Sequence, residues 1–286
     1  MVLMKGFVIS IIDVNDVLEE QYMKAAIVKS ATLKALVSSL VLLGGLSQVA
    51  HADDANPNLV LAGTALEGNL TGNIGVYSKY IFRGITNAPE QDSPAVQGGV
   101  DYVLKNGFYA GYWFSSLGYS ADPAKSANSV ESDIVGGYTG TIGSTGVGYT
   151  IGGTVYLYTP GQDTTMYETK LGLSYGSASI TAQTLLNDAV FGNKGDTYFL
   201  ASYSHALPKD FTLTGQVGAF AYKKDGEFVK QTADSEGFAF RHATVALSHP
   251  LPIKGGTWGV QYIVGGSDRN GVHQDNTIVG SLAMTF

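Results

Sequence analysis

The feature that most constrains this chain is a repeated alternation of apolar and small polar residues in short segments. The segment at 276–286 shows it most clearly, because Ile278, Leu282 and Met284 fall on one face and Thr277 and Ser281 on the other. Side chains of a β-strand point alternately to opposite faces. A strand with one apolar and one mostly polar face can separate hydrocarbon from a wetter space, as a wall strand of a transmembrane β-barrel does.

Twelve such segments follow one another along the chain. They span 70–83, 95–104, 108–117, 130–139, 147–158, 166–175, 178–186, 197–205, 211–222, 238–248, 257–265 and 276–286. Most are close to the roughly 9 to 11 residues that a tilted strand needs to cross a bilayer. Their number is even, as in single-chain bacterial barrels, so the sequence predicts an all-β, antiparallel transmembrane barrel of about twelve strands.

The connections between the segments support this prediction. Short turns follow every second segment, at 105–107, 140–146, 176–177, 206–210 and 250–256. The other connections are mostly longer and more polar, at 84–94, 118–129, 159–165, 187–196, 223–237 and 266–275. A barrel with short periplasmic turns and longer outer loops produces such an alternation. A Greek-key sandwich gives no reason for it.

Composition excludes several other classes of protein. The 286 residues include 37 Gly, 11% aromatic and only 14% charged residues, which suits many strands and tight turns. The absence of Cys removes disulfide scaffolds and thiolate metal sites, and a net charge of −7 gives no support for nucleic-acid binding. An exported soluble β-sandwich would share much of this composition and stays open as a weaker alternative.

The amino-terminal part predicts export. Lys24, Lys29 and Lys34 precede an apolar run at 35–46 and the small-residue site Ala50-His51-Ala52, which together indicate a signal peptide at 23–52. Residues 1–22 are acidic where such a signal is basic, and we interpret them as a non-native upstream extension. Residues 53–69 are then a periplasmic lead-in and 70–286 the barrel. No later run of 18 apolar residues exists, which excludes a helical membrane protein.

Residues 73–176 resemble a known family. The similarity lies in the stretches Val76-Tyr77-Ser78-Lys79-Tyr80-Ile81-Phe82-Arg83-Gly84, Pro94 to Tyr102, Gly107 to Gly111, Glu131-Ser132-Asp133, Gly136-Gly137-Tyr138, Tyr156 to Gly161 and Tyr167-Glu168. It identifies the chain as similar to the TorF-type porins of proteobacteria. The resemblance implies an outer-membrane barrel with a porin role and brings no catalytic residue.

Charged and polar residues on the non-lipid faces are candidates for a constriction in the lumen. They are Lys79, Arg83, Gln97, Asp101, Glu131, Asp133, Glu168 and Lys170. Cations on one wall and carboxylates on the other would create a transverse field that favours polar solutes. The alternative is that these charges pair and fill a narrow barrel, because twelve strands lie between filled and open barrel sizes.

Aromatic residues on the lipid-facing side are candidates for girdles at the two membrane interfaces. They are Tyr102, Tyr138, Tyr149, Trp258 and Tyr262. The alternative is ordinary packing on any β-surface. Arg241 shares its parity with Ala243 and Val245, so we expect it to face outward near the outer rim unless a bulge turns it to the lumen. Phe286 resembles the terminal signature of outer-membrane barrels and is the predicted assembly signal.

Neither a metal site nor a catalytic site is predicted. His205, His242, His249 and His273 are scattered without metal-ligand spacing. A barrel hydrolase needs Ser beside His, and the adjacent Ser204 and His205 face opposite ways. We therefore expect no cofactor, no metal and no enzymatic activity.

The sequence thus supports two main hypotheses of function. The first is an outer-membrane channel for passive diffusion of small polar solutes or ions. The second is a non-conducting barrel with a structural role or with outer loops that bind a partner. In either case the expected partners are outer-membrane lipid, lipopolysaccharide and the barrel-assembly machinery, with no nucleic acid.

Overall fold

The computed structural model describes residues 59–61, 64–232 and 234–286. The predicted upstream extension and signal peptide, and residues 53–58 of the predicted lead-in, lie outside these residues. Within the lead-in, β1 (Leu59–Leu61) and β2 (Thr64–Leu66) form a small antiparallel hairpin. The hairpin precedes the barrel and is a separate two-stranded sheet.

The remaining strands form one closed antiparallel barrel of twelve strands, which confirms the predicted fold class. They are β3 (Gly68–Tyr77), β4 (Ala95–Leu104), β5 (Phe108–Ser116), β6 (Val130–Thr141), β7 (Gly148–Thr159), β8 (Met166–Tyr175), β9 (Ala178–Leu185), β10 (Thr197–Ala206), β11 (Thr212–Ala221), β12 (Phe238–Pro250), β13 (Gly256–Gly265) and β14 (Thr277–Thr285). Each strand pairs with its neighbours in chain order. Closure leaves the wall without an unpaired edge.

The last strand closes the barrel against the first, with Leu282 opposite Val76 and Thr285 opposite Asn73. Its faces follow the predicted alternation. Ile278 and Leu282 are exposed on the outside, whereas Val279 is buried inside. Alternate residues of this strand therefore point outward and inward, with large apolar side chains on the outer face.

The two ends of the barrel differ in their connections. Five tight turns, at 105–107, 142–147, 176–177, 207–211 and 251–255, lie at one end, which we call the turn end. Six longer connections, at 78–94, 117–129, 160–165, 186–196, 222–237 and 266–276, lie at the other, which we call the loop end. Only glycine fits at position 107 in the first tight turn. Gly107 has φ of 98°, and an added Cβ would lie 2.3 Å from the carbonyl oxygen of Thr139.

The first barrel strand is shorter than predicted. The sequence predicts a strand to Arg83, but β3 ends at Tyr77 and residues 78–83 leave the wall. The chain then turns inside the barrel, where Arg83 has φ of 48° and Gly84 has φ of 72°. Alternation alone could not show this, because the hydrogen-bond partner of Tyr80 inside the barrel, Glu131, is distant in sequence.

The predicted outward orientation of Arg241 is wrong. Across the β11–β12 pair Gly218 stands opposite His242, and the next residue, Ala219, stands opposite Phe240. Arg241 is the extra residue of a β-bulge, which shifts the parity of the strand at this point. As a result Arg241 and His242 are both buried inside the barrel.

Near the loop end the interior of the barrel is packed. A cluster of buried residues there includes Tyr80 from the first loop, Tyr156 and Tyr158 from β7, and Met166 from β8. Large aromatic and apolar side chains thus fill the space that the wall strands alone would leave open. Among the residues that the structure describes, no helix is long and apolar enough to cross a membrane.

Candidate functional site

The loop at 78–94 brings a charged side chain into the middle of the barrel. Arg83 lies on this loop, and its guanidinium reaches Glu168 on β8. The carbonyl oxygen of Arg83 accepts a hydrogen bond from Arg241 on β12, so Arg83 bridges β12 and β8, which are four strands apart in the barrel wall. The position of the loop therefore decides how wide the passage is at this level.

The contact between Arg83 and Glu168 is a bidentate ion pair. Nη1 donates to Oε1 at 2.7 Å and Nη2 donates to Oε2 at 2.6 Å. The Tyr156 hydroxyl donates to Oε2 at 2.9 Å and accepts from Nη2 at 3.0 Å. The two charged side chains are 8% and 5% exposed. Pairing and hydrogen bonding of this kind offset the free-energy cost of burying the two charges.

Aromatic rings surround the same guanidinium. Its central carbon lies 4.7 Å from the ring centroid of Phe82 and 4.9 Å from that of Tyr198. Tyr156 and Phe220 are further away, at 5.9 Å and 6.0 Å. Aromatic faces attract cations at such distances. The sequence did not reveal Tyr198, because 197–205 carries apolar residues on both faces. Phe220 shares the inward parity of Thr214, but its position near Arg83 depends on the folded-in loop, which the sequence did not predict.

A second contact anchors the loop at Tyr80, three residues before Arg83. The Tyr80 hydroxyl donates to Oε2 of Glu131 at 2.5 Å, and Tyr158 donates to the other carboxylate oxygen at 2.8 Å. Glu131 lies on β6 and is fully buried. Tyr80 and Arg83 therefore fasten the loop to adjacent parts of one wall.

The remaining candidate charges are arranged less regularly. Asp133 is buried on the same wall, and its Oδ1 has no hydrogen-bond partner. Lys170 is also buried there, so a cation lies among the carboxylates. Asp101 is half-buried on β4. Lys170 lies on the same strand as Glu168, whereas Arg83 reaches Glu168 from the loop; a transverse field across the lumen stays a prediction.

Two candidate residues lie away from this cluster. Lys79 donates to Oγ1 of Thr277 at 2.5 Å and to Oε1 of Gln91 at 3.3 Å, near β14. Gln97 is buried and donates to Oγ of Ser115 at 3.3 Å. Gln97 lies on the inward face of β4, whereas Lys79 lies on the loop at 78–94 and not on the strand from which its orientation was predicted.

Above the ion pair, toward the loop end, lies a cavity of about 490 Å³. Its lining includes Phe220, Tyr222, Glu90, Arg241, Asp268 and Arg269. Arg269 is paired with Asp196 and stands 4.5 Å from the centroid of the Tyr222 ring. Burial raises the pKa of Glu90 above its ordinary value. We call this cavity the outer vestibule.

Below the ion pair, toward the turn end, the lumen has a different lining. Small polar side chains on the inward faces are half-exposed here. They include Thr71, Asn73, Thr150, Ser174, Thr181, Ser202 and Ser204. The lumen thus changes from a packed, charged level near the loops to a wider polar one.

The candidate girdle residues face outward. Tyr138 lies between Phe108 and Tyr149, with ring centroids 5.1 Å and 6.0 Å away, and Trp258 is 6.2 Å from Phe211. These contacts are at the turn end. Tyr102, on β4, belongs to the same end, and its ring covers Gly68. Tyr262 is exposed and lies nearer the loop end.

In the described residues the adjacent Ser204 and His205 point to opposite sides of the wall. Ser204 faces inward and bonds to Oγ1 of Thr214 at 3.0 Å, whereas His205 is exposed. In the described part of the chain, no three His, Asp or Glu side chains lie close enough to hold a metal ion.

Comparisons with known proteins show a matching family model and several solved structures with limited similarity. A family model described as a bacterial protein of unknown function (Gcw_chp) matches residues 62–272. No curated protein matches the sequence. Among solved structures, the KdgM porin has a TM-score of 0.47 at 10% identity, covering 76% of this chain and 98% of its own.

Two further structures show the same range of similarity. The NanC porin has a TM-score of 0.44 at 14% identity, covering 76% of this chain and 98% of its own. OpdL of Pseudomonas aeruginosa has a TM-score of 0.39 at 13% identity, covering 78% and 71%. The roles of individual residues therefore rest on the contacts within this chain.

Proposed function

We propose that this chain, which belongs to the Gcw_chp family of bacterial proteins of unknown function, is an outer-membrane channel for passive diffusion of small polar solutes. The geometry of the chain itself supports this proposal. The observation that carries it is the Arg83–Glu168 pair, which a folded-in loop holds inside the lumen above a polar interior. The pair narrows the lumen at this level and presents a charged, hydrogen-bonded surface beside the remaining passage, which favours polar over apolar solutes. The resemblance to TorF-type porins is consistent with the same role.

The outer surface supports a membrane location. Its wall strands expose apolar side chains such as Ile134, Leu171 and Ile278, while their inward faces are polar. Such a surface fits the hydrocarbon region of a bilayer, and the aromatic residues at the turn end fit its interface. Outer-membrane lipid, lipopolysaccharide and the assembly machinery, acting through Phe286, are the partners that this location would provide.

The packing near the loop end favours a second candidate function. Tyr156 and Glu131 are fully buried, so part of the lumen is filled. If the Arg83 level is closed to solutes, the barrel would serve as a structural element or as a support for its outer loops. The size of twelve strands is compatible with either state.

Single-channel recording separates the two functions. The folded protein should give small conductance steps in planar bilayers, and Arg83→Ala should enlarge them because the side chain that narrows the lumen is removed. Lys125→Ala is a matched control, because Lys125 is exposed on the loop between β5 and β6. If neither the native protein nor Arg83→Ala conducts, the channel function is wrong. If Arg83→Ala matches the native conductance, Arg83 does not form the constriction.

A further inference from the structure

Arg241 is a buried cation that no described carboxylate contacts at ion-pair distance. Its side chain is 3% exposed, and it lines the outer vestibule. Nε donates to the carbonyl oxygen of Arg83 at 3.3 Å, whereas Nη1 has no partner. By contrast, the neighbouring Arg83 and Arg269 are each paired with a carboxylate. Among the described residues, Arg241 forms no such pair.

A guanidinium without an ion-pair contact in this position favours binding of an anion. Burying a charge without a partner is costly, so an anion that enters the vestibule and pairs with Arg241 would gain a strong interaction. The planar guanidinium matches a carboxylate, to which it can donate two parallel hydrogen bonds. The bulge of β12 points Arg241 toward this cavity, whereas an uninterrupted strand would turn it outward.

Beside Arg241 the vestibule is lined by two half-exposed aromatic side chains, Phe220 and Tyr222. Arg269 stands over the Tyr222 ring, so the part of the two rings that stays exposed is the surface available to a ligand. The rings of Phe220 and Tyr222 are stacked, with centroids 5.0 Å apart and planes inclined by 8°, and Tyr198 lies 5.0 Å from Phe220. Phe220, Tyr222 and Arg241 all line the same cavity. Aromatic surfaces of this kind pack well against planar apolar groups.

Two carboxylates in the vestibule restrict the charge of the ligand. Glu90 and Asp268 line the cavity with Arg241. Both act on the charge of Arg241 at longer range, without ion-pair contact among the described residues. A ligand with a second anionic group would be repelled by them, because like charges at close range disfavour each other. The vestibule of about 490 Å³ is also in the size range of small-molecule sites.

We infer that the outer vestibule binds small monocarboxylates with a flat apolar body, the carboxylate on Arg241 and the body on Phe220 and Tyr222. The inference rests on the proposed function, since such a site would select solutes for the channel. Binding is nevertheless measurable without conduction.

Equilibrium binding to the folded barrel in detergent tests this inference. We expect radiolabelled benzoate to bind the native protein saturably. Benzyl alcohol, which lacks the carboxylate, and phthalate, which adds a second one, should each compete at least about tenfold more weakly. Equal competition by benzyl alcohol would contradict the role of Arg241, and equal competition by phthalate would contradict the role of Glu90 and Asp268. No saturable binding of benzoate to the native protein would overturn the inference.

Variants assign the binding to the proposed side chains. Arg241→Gln should weaken benzoate binding at least about tenfold, and Lys125→Gln, which removes an exposed cation outside the cavity, should leave it unchanged. Phe220→Leu should weaken benzoate more than acetate. Heat-modifiable migration on a gel checks that each variant is folded. Because binding is measured in detergent, a protein that binds benzoate but gives no conductance would refute the channel and not the site.

Discussion

Arg83 and Glu168 form a bidentate ion pair between a loop inside the barrel and the wall strand β8. Both side chains are almost fully buried, so each depends on the other for its charge to be tolerated. Their surroundings add the Tyr156 hydroxyl and two close aromatic faces. Loop position, lumen width and stability are therefore coupled through one contact.

The first prediction concerns the stability that this pair provides. Glu168→Leu should lower the free energy of unfolding by about 3–5 kcal/mol, because it leaves Arg83 buried without a partner. The double variant Arg83→Met with Glu168→Leu should lose much less, since no charge remains unpaired. Urea unfolding of the barrel in lipid vesicles measures both values. A double variant as unstable as Glu168→Leu alone would contradict the prediction.

An exposed ion pair serves as the control. Lys105 and Glu67 are paired at the turn end with side chains that are 68% and 58% exposed. Surface pairs of this kind contribute little to stability, because water and salt screen them. Lys105→Met should therefore leave the unfolding curve nearly unchanged.

The second prediction concerns the anchor of the loop. Tyr80→Phe removes one of the two hydroxyl donors to the buried Glu131 carboxylate. We expect a loss of about 1–3 kcal/mol in the free energy of unfolding, because a buried acceptor loses its partner. Tyr112→Phe is the control, since that hydroxyl contacts Ser132 on the exposed outer face. Equal effects of the two substitutions would show that Tyr80 is no special anchor.

Most of the wall could be predicted from the sequence. The segment predicted at 166–175 has the bounds of β8, and the segment predicted at 95–104 has those of β4. Period-two patterning works here because every wall strand has one apolar and one polar face. The alternation of short and long connections added the direction of each strand and the order of closure.

Two features of the candidate site could not be predicted, for different physical reasons. Residues 78–83 alternate like a strand, but contacts with Glu131 and Glu168 draw them into the lumen. These partners lie about fifty and eighty-five residues away, beyond the reach of a local pattern. At Arg241 the pattern fails because one inserted residue reverses the faces, and the bulge leaves no mark in the sequence.

The third prediction concerns two outer loops that a single carboxylate holds together. The two carboxylate oxygens of Asp188 accept hydrogen bonds from the backbone N–H groups of Lys194 and Glu227, at 2.7 Å and 3.0 Å. These bonds lower the pKa of Asp188. The group's contribution to loop packing is therefore complete above the ordinary Asp value, and it is lost as pH falls through the lowered pKa.

At neutral pH, where this contribution is complete, Asp188→Ala should speed tryptic cleavage after Lys224 and Lys230 in the loop at 222–237. Asp210→Ala is a control at the turn end, where the same charge is removed away from the loops. Mass spectrometry of the digests measures the rates. If Asp188→Ala and Asp210→Ala are cleaved at the native rate, the carboxylate does not hold the two loops together.

The fourth prediction concerns closure of the barrel by the last residue. Phe286 donates its backbone N–H to the carbonyl oxygen of Gly72 at 2.9 Å and accepts from the Gly72 N–H at 2.8 Å. Its ring also covers Gly72, where an added Cβ would lie 2.5 Å from a ring carbon. The aromatic ring thus covers the backbone of β3 at Gly72, where β14 pairs with β3. Gly72 has no side chain of its own to cover this backbone.

Phe286→Ala should keep the backbone bonds but remove this cover, so a smaller fraction of the protein should reach the folded, heat-modifiable form in outer-membrane fractions. Phe238→Ala is the matched control, because Phe238 is an equally exposed aromatic residue at the loop end, 62% against 61% for Phe286. Quantified gel migration compares the two. If both substitutions reduce the folded fraction equally, loss of apolar surface explains the effect; if only Phe286→Ala does, the seam requires its terminal ring.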